Sequence, residues 1–252
     1  MFWCILINME LRRKPKGEKV CRGAYNYYKR DALYAEEEFE VYRDRQELSL
    51  SFFAYLYARI PTGELLTTYV DYVISKDYIP QNLYIERTLG KSVVQENYSY
   101  EPKTNELNYH YSGPKSKENI IITTPSKFTL TTPTTSTSFT FLRSKKEDTV
   151  GKNFYTVYGT DNNWNYNGPP NSKIVVMERN GVGFLTIDID GKKLQATPYK
   201  LFDGADLEED IESIHAPHLN ISLSKVLTIP YVIKSDDDTK IQIKYLNDFE
   251  SA

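Results

Sequence analysis

The segment LSLSFFAYLYARIPTGELLTTYVDYVI, residues 48–74, decides the fold class, because its apolar side chains recur at every second position. One face of its first half carries Leu48, Leu50, Phe52, Ala54 and Leu56. The other face carries Ser49, Ser51, Phe53, Tyr55 and Tyr57. The turn signal PTGE at residues 61–64 follows, and alternation resumes from Leu65 to Ile74. The segment therefore predicts a β-hairpin with one apolar face.

The same alternation extends along most of the chain, whereas helical periodicity is nearly absent. Turn signals at Gly90-Lys91, at residues 102–105, at Asp190-Gly191 and at residues 236–238 separate short strands. The acidic stretch Leu207 to Ile214 is the best candidate for a short helix. We expect an all-β fold, an antiparallel meander that curls into an open barrel or into two packed sheets, with at most one or two short helices.

Composition divides the chain into three parts. Residues 1–21 are predicted as a basic N-terminal tail, residues 22–122 as a first antiparallel β unit, and residues 123–252 as a crossover and a second β unit. The crossover is the threonine-rich stretch 123–141, in which Phe128, Leu130, Phe139 and Phe141 alternate with Thr and Ser. That pattern favours strand over flexible linker, so we expect the two units to pack as one domain.

The overall composition is that of an ordinary globular protein with an unusual number of tyrosines. Of 252 residues, 31 are Lys or Arg and 34 are Asp or Glu, and 21 are Tyr. Tyrosine combines an apolar ring with a polar tip, which suits half-buried sheet surfaces and binding walls. The slightly acidic balance disfavours a nucleic-acid binder. Cys4 and Cys21 are interpreted as free thiols in a reducing compartment.

The N-terminus lacks the features of a membrane or export segment. Its apolar run, Phe2 to Ile7, is far shorter than the roughly 20 residues of a spanning helix. The basic cluster follows that run, whereas a secretory signal has its positive charge in front. Met9 is an alternative natural start to Met1. With no other apolar segment of spanning length, the sequence predicts a cytoplasmic protein.

The motifs of common catalytic and metal sites are missing from the sequence. There is no nucleophile elbow, no zinc-protease motif and no glycine-rich phosphate loop. The pair His215 and His218 is a weak zinc signal, because Pro217 prevents a regular helix from presenting both rings. The three glutamates Glu36, Glu37 and Glu38 are interpreted as a solvated strand edge. The sequence therefore predicts no metal and no cofactor and favours a non-catalytic protein, while a pair of catalytic carboxylates stays open.

Six residues are predicted as ligand-binding because of their position in the pattern: Asp71, Arg87, Tyr98, Tyr109, Tyr111 and Trp164. Asp71 and Arg87 are charges on otherwise apolar strand faces, where a charge must be paired or must meet a polar head group. The three tyrosines would wall a pocket, and Trp164 lies in the loop-rich centre, residues 153–170. The alternatives are an ion pair on an outward face and simple cross-strand packing.

Two stretches carry a resemblance to a known group. Glu38 to Tyr111 contains EFEVYRD, LSLSFFAYL, VDYVISKDYIPQNLYIERTLG and ENYSYEPKTNELNYHY, and the later stretch is ISLSKVLTIPYVIKSDDDTKIQIKYL. Their pattern resembles that of uncharacterised bacterial proteins of the glycolipid-binding and lipoprotein-carrier-like group. The resemblance implies antiparallel sheets that curl into an open barrel around a lipid, and it assigns no site residue.

Three functions are compatible with these observations. The first is a non-catalytic protein that binds an amphipathic or hydrophobic ligand, of lipid or glycolipid type, in a tyrosine-rich β scaffold. It predicts a continuous apolar cavity of several hundred Å³. The alternative is an interaction or scaffold protein that uses a sheet face or edge. The third is a carboxylate-dependent hydrolase of a sugar or ester, which needs two acids facing each other across a cleft.

Overall fold

The structure is a computed structural model that describes residues 13–143, 150–179, 181–204, 217–224 and 228–249. The strands in these ranges are β1 (Glu18–Lys29), β2 (Ala32–Asp44), β3 (Ser49–Arg59), β4 (Leu65–Ser75), β5 (Pro80–Leu89), β6 (Ser92–Glu101), β7 (Glu106–Ser112), β8 (Lys117–Thr123), β9 (Thr129–Leu130), β10 (Gly151–Gly159), β11 (Asn171–Arg179), β12 (Leu185–Ile189), β13 (Lys192–Asp203), β14 (Leu219–Leu223), β15 (Pro230–Ser235) and β16 (Thr239–Asp248). Two short 3₁₀ helices, Thr135–Thr137 and Thr140–Arg143, lie between β9 and β10.

These strands form one large sheet that does not close into a barrel. The order across the sheet is β8-β7-β6-β5-β4-β3-β2-β1-β16-β15-β14-β13-β11-β10-β9, and β12 pairs only with β13. Every pairing is antiparallel except that of β9 with β10. The predicted all-β, mostly antiparallel open architecture with short helices is confirmed.

The first and the last long strands join the two parts of the sheet. β1 pairs with β16 along most of its length, so the sheet continues from the first predicted unit into the second. β1 begins at Glu18, inside the stretch predicted as an N-terminal tail, and Cys21 within it is fully buried. The pairing of β1 with both β2 and β16 places the start of the described chain in the centre of the sheet.

One face of β1–β7 is buried, and we call it the inner face. Its side chains follow the predicted alternation. In β3, Leu50, Phe52 and Ala54 are buried, and they pair with Ile74, Tyr72 and Val70 of β4. Leu48 departs from the prediction, because it lies in the preceding turn with φ +50° and is half exposed. The tight turn Asp190-Gly191 is confirmed, since both residues have the positive φ that a two-residue hairpin of type I′ requires.

The crossover differs from the predicted strand. After Thr123, which ends β8, only Thr129 and Leu130 form a strand, and the two 3₁₀ helices follow, the second of which ends at Arg143. Phe128 and Leu130 pack in the core of the first part of the sheet, whereas Phe139 and Phe141 pack in a second core cluster. The stretch predicted as a loop from Asn153 is also corrected, because β10 continues to Gly159 and the loop begins after it.

Several sequence predictions fall outside the described residues. They concern Cys4, the apolar run from Phe2 to Ile7, the start at Met9, the acidic helix candidate Leu207 to Ile214, and His215. Within the described ranges, no helix combines the length and the apolar character needed to cross a membrane.

Candidate functional site

Arg87 and Glu96 form an ion pair inside the fold. Their side chains project from the inner faces of β5 and β6, and Arg87 Nη1 lies 2.5 Å from Glu96 Oε1. Glu96 is fully buried, and the Arg87 side chain is 13% exposed. The other carboxylate oxygen, Oε2, accepts hydrogen bonds from the hydroxyls of Tyr98 (3.0 Å), Tyr109 (2.9 Å) and Thr160 (2.9 Å). The buried carboxylate is therefore paired and hydrogen-bonded, as a charge in such a position requires.

The loop after β10 covers this ion pair. The Asn162 amide donates to the Tyr109 hydroxyl and to the Gly168 carbonyl, both at 2.8 Å, and the Tyr111 hydroxyl donates to the Asn163 carbonyl at 3.3 Å. Trp164 is half buried against the core. Burial, reinforced by the charge of Glu96, raises the pKa of Tyr109. Five of the six predicted ligand-binding residues thus lie in one region: Arg87, Tyr98, Tyr109 and Tyr111 are on the inner face, and Trp164 is in the loop that covers it.

Asp71, the sixth, lies on the opposite face of the sheet. Arg13 donates to both of its carboxylate oxygens, from Nε at 2.8 Å and from Nη2 at 2.6 Å. The Arg13 guanidinium also lies 5.1 Å from the centre of the Phe53 ring. Asp71 therefore holds the start of the described chain on the outer face, which is the outward ion pair that the sequence left open. As ligand-binding residues, the six stay a prediction.

An outer-face groove of about 420 Å³ lies beside this ion pair. Its lining contains the bases Arg13, Lys14 and Arg22 together with the acids Glu38 and Glu40. Because charges of both signs are mixed along it, the lining favours neither a cationic nor an anionic ligand.

An apolar groove of about 360 Å³ lies on the inner face of the second part of the sheet. Its floor consists of inner-face side chains of β10, β11 and β13–β16, and its wall is the crossover from Thr129 to Phe141. The apolar lining residues are Leu130, Pro133, Phe139, Phe141, Val157, Val175, Leu201, Leu219, Ile233 and Ile241. None of the six predicted residues lines this groove. We call it the inner groove.

Most hydroxyls of the wall are already hydrogen-bonded inside the protein. Ser138 Oγ donates to the Thr134 carbonyl at 2.7 Å, and the hydroxyls of Thr134 and Thr137 share a hydrogen bond of 2.8 Å. Thr135 Oγ1 lies 2.7 Å from the Tyr27 hydroxyl. Because these groups are engaged, the threonine-rich wall adds little polarity to the groove.

Glu37 of β2 holds the wall in place through hydrogen bonds to its backbone. Its buried carboxylate accepts hydrogen bonds from the backbone N–H groups of Thr135 (2.7 Å) and Ser136 (3.0 Å) and from the Tyr27 hydroxyl. Burial raises the pKa of Glu37, and its hydrogen bonds act in the opposite direction. The interpretation of this residue as part of a solvated edge is wrong, since Glu37 is fully buried. Its place in the alternation with Ala35 and Phe39 was the signal that could have found it.

Lys173 is the one charged residue in the lining of the inner groove as far as the described chain shows it. It lies near the start of β11, directly opposite Val157 and two residues before the buried Val175 on the same face. Lys173 is exposed, and no described carboxylate forms an ion pair with it. Sequence reasoning missed this residue, although a lysine on the face of Val175 and Met177 is the same signal that singled out Arg87.

No metal centre is found in the ranges that the structure describes: no three His, Cys, Asp or Glu side chains there come together in a group that could hold an ion. His218 is described, whereas its sequence partner His215 is not.

Comparison with known proteins defines the fold alone. No protein-family model matches the chain, and no curated protein matches it either. The crystal structure of a β-barrel-like protein of the domain of unknown function DUF1849 from Brucella abortus is similar with a TM-score of 0.56 and 11% identity, over 93% of this chain and 100% of that one. A DUF1089 family protein from Pseudomonas aeruginosa has a TM-score of 0.39 and 11% identity, over 77% of this chain and 88% of that one. The fold of this chain is thus similar to that of the β-barrel-like Brucella abortus protein, which agrees with the open-barrel part of the resemblance.

Proposed function

We propose that the protein is a non-catalytic binding protein that holds a small amphipathic ligand of lipid type in the inner groove. The observation that supports this most is an apolar groove of about 360 Å³ on the inner face of an open, mostly antiparallel sheet. That volume falls within the range of about 300–1,000 Å³ of small-molecule sites. The predicted site was a continuous cavity inside the sheet, whereas the site proposed here is an open groove on one part of the inner face.

The physical basis of binding would be the burial of alkyl surface against aliphatic side chains. Burying on the order of 200 Å² of apolar ligand surface contributes about 5 kcal/mol, from which the entropy cost of association must be subtracted. The hydrogen bonds from Thr135 and Ser136 to Glu37 hold the wall in place before the ligand arrives, which lowers that cost.

The test is native mass spectrometry of protein purified from its own host, followed by lipid extraction and by titration of the delipidated protein with a fluorescent alkyl probe. Leu201→Arg places a charge in the inner groove and should abolish probe binding. Leu65→Arg, at an exposed leucine of β4 outside the groove, is the matched control and should bind as the unmodified protein does. Equal probe binding by both variants would contradict the proposal.

A protein-interaction role is the second candidate, because β8 lies at one end of the sheet in the described structure. The Gly113 N–H donates to the Ser116 carbonyl, which identifies the hydrogen-bonded pairs of the antiparallel register. The N–H and C=O groups of residues 118, 120 and 122 therefore point toward β7. Those of residues 117, 119, 121 and 123 point away from β7, toward the open side of the strand. Ile121 is 65% exposed. An apolar edge strand of this kind is a template for pairing with another strand, here β8 of a second copy.

Size-exclusion chromatography over a range of concentrations tests this second role. Ile121→Pro removes one outward N–H without breaking the ladder to β7, and Ile121→Thr keeps that N–H. A dimer that the proline variant loses and the threonine variant retains would support edge pairing. A monomer at all concentrations for the unmodified protein would contradict it.

The hydrolase receives less support from the geometry. Two acids facing each other across a cleft are required, and in the described part of the inner groove the lining contains no carboxylate. Glu37 lies behind the wall, where it is engaged by two backbone N–H groups and by Tyr27.

A further inference from the structure

We propose that the ligand of the inner groove is a single-chain anionic amphiphile, whose acidic head group pairs with Lys173 while its alkyl chain lies along the aliphatic floor. This inference rests on the proposed function and names the ligand class for that site. It follows from the distribution of charge, hydrogen-bonding groups and volume in the groove.

The charge of the groove points to an anion. Of the twenty residues that line it within the described ranges, Lys173 alone carries a charge. Lys173 lies on the inner face of β11. It pairs with Val157 of β10, and Val175 is the next residue of β11 on the same face. The Lys173 side chain is exposed, and its alkyl stem extends the apolar surface of the groove toward the terminal amino group. An acidic head group would meet a complementary charge there.

The remaining polar groups do not compete for that role. The hydroxyls of Thr134, Thr135 and Ser138 are hydrogen-bonded within the protein, as described above. A large, uncharged polar head such as a sugar would need many such groups to replace its water contacts. A small anionic head needs only the ammonium group of Lys173 and water at the open rim.

The volume of the groove favours one alkyl chain. About 360 Å³ lies near the lower end of the range of small-molecule sites, which extends to about 1,000 Å³. Two acyl chains would exceed that space, and their excess apolar surface would remain in contact with water. The head group could be a carboxylate or a phosphate monoester, since both carry the negative charge that Lys173 would recognise.

The experiment is calorimetric titration of the delipidated full chain with dodecanoate, dodecyl phosphate and dodecanol, all below their aggregation limits. Dodecanoate and dodecyl phosphate distinguish the two acidic heads, and dodecanol is the uncharged ligand with the same chain. The variants are Lys173→Met and, as a control, Lys193→Met, which removes an exposed lysine of β13 outside the groove. Thermal unfolding confirms that both variants are folded.

We expect at least one acidic ligand to bind the unmodified protein, and Lys173→Met to weaken that binding roughly 3- to 10-fold, as for a partly exposed charge pair. Lys193→Met should leave it unchanged, and dodecanol should bind equally to all three proteins. Added salt should weaken the binding of the acid to the unmodified protein more than to Lys173→Met.

Two results would overturn the inference in distinguishable ways. If dodecanol binds as tightly as the acids and Lys173→Met binds the acids unchanged, the groove takes an alkyl chain but Lys173 selects no anion. If none of the three ligands binds to any variant, the proposed function fails together with this inference.

Discussion

Replacing Arg87 with Met tests the buried ion pair at the centre of the first part of the sheet. The structure predicts a large cost, because Glu96 is fully buried and the variant removes the guanidinium that lies 2.5 Å from its carboxylate. Leaving a buried charge unpaired in this way costs about 3–5 kcal/mol. A domain is typically stable by about 5–15 kcal/mol, so the loss would be a substantial fraction of the total.

Two further variants separate the charge from the packing. Arg87→Met combined with Glu96→Gln removes both charges, and the Gln amide oxygen can still accept hydrogen bonds from Tyr98, Tyr109 and Thr160. We expect this double variant to recover at least about 2 kcal/mol of the loss. The surface control is Lys244→Met, whose ammonium lies 3.1 Å from Glu36 with both side chains about half exposed. It should cost less than about 1 kcal/mol.

Urea denaturation, followed by far-ultraviolet circular dichroism and by fluorescence, measures the free energy of unfolding of all four proteins. The comparison holds where the dependence on urea concentration has the same slope in each. A cost for Arg87→Met no greater than that of Lys244→Met would refute the reasoning. So would a double variant that is no more stable than the single one, because the penalty would then not come from an unpaired charge.

Two other predictions concern the wall of the inner groove and the centre of the sheet. Because burial raises the pKa of Glu37, its contribution to stability is complete below its ordinary pKa of 4.5 and is lost as the pH rises through the folded-state pKa. The stability of the unmodified protein minus that of Glu37→Gln should therefore fall as the pH rises above about 4.5 in urea titrations, and a constant difference would contradict the assignment. Gly23→Ala should destabilise by about 1–3 kcal/mol, because a Cβ there would lie 2.5 Å from Phe39 Cζ and 2.7 Å from the Tyr245 carbonyl oxygen. Gly183→Ala has no heavy atom within 4 Å of the added Cβ and is its control in the same assay.

The sequence predicted the features that depend on neighbouring residues in the chain. Alternation of period two placed Phe52 on the buried face of β3 and Arg87 on the face of Leu83 and Ile85, as the structure has them. The same rule would have placed Glu37 inside, but the run of three glutamates obscured it. Alternation predicts which residues share a face of a strand, but it does not predict which other segment of the chain packs against that face.

The inner groove depends on contacts between distant segments, and local pattern does not encode these. β11 pairs with β13, and β12, which lies between them in the sequence, is not between them in the sheet. The inner face that contains Lys173 and Leu201 is therefore assembled from strands that are not consecutive. The wall comes from the crossover. The buried carboxylate of Glu37, in β2, holds the wall by accepting hydrogen bonds from backbone N–H groups of the crossover. Both facts require the three-dimensional pairing, so the groove residues were missed.

The two parts of the sheet differ in how their inner faces are filled, and this difference locates the groove. In the first part, large tyrosines at positions 25, 72, 98, 109 and 111 fill the inner face together with the crossover and the loop after β10. In the second part, Tyr155 and Tyr199 pack with Phe139 and Phe141 over part of the inner face. The rest of that face has the smaller side chains of Val157, Val175, Leu201 and Leu219. The uncovered remainder is the inner groove. The tyrosines of the first part therefore account for a filled and hydrogen-bonded interior, whereas the floor of the inner groove is mainly aliphatic.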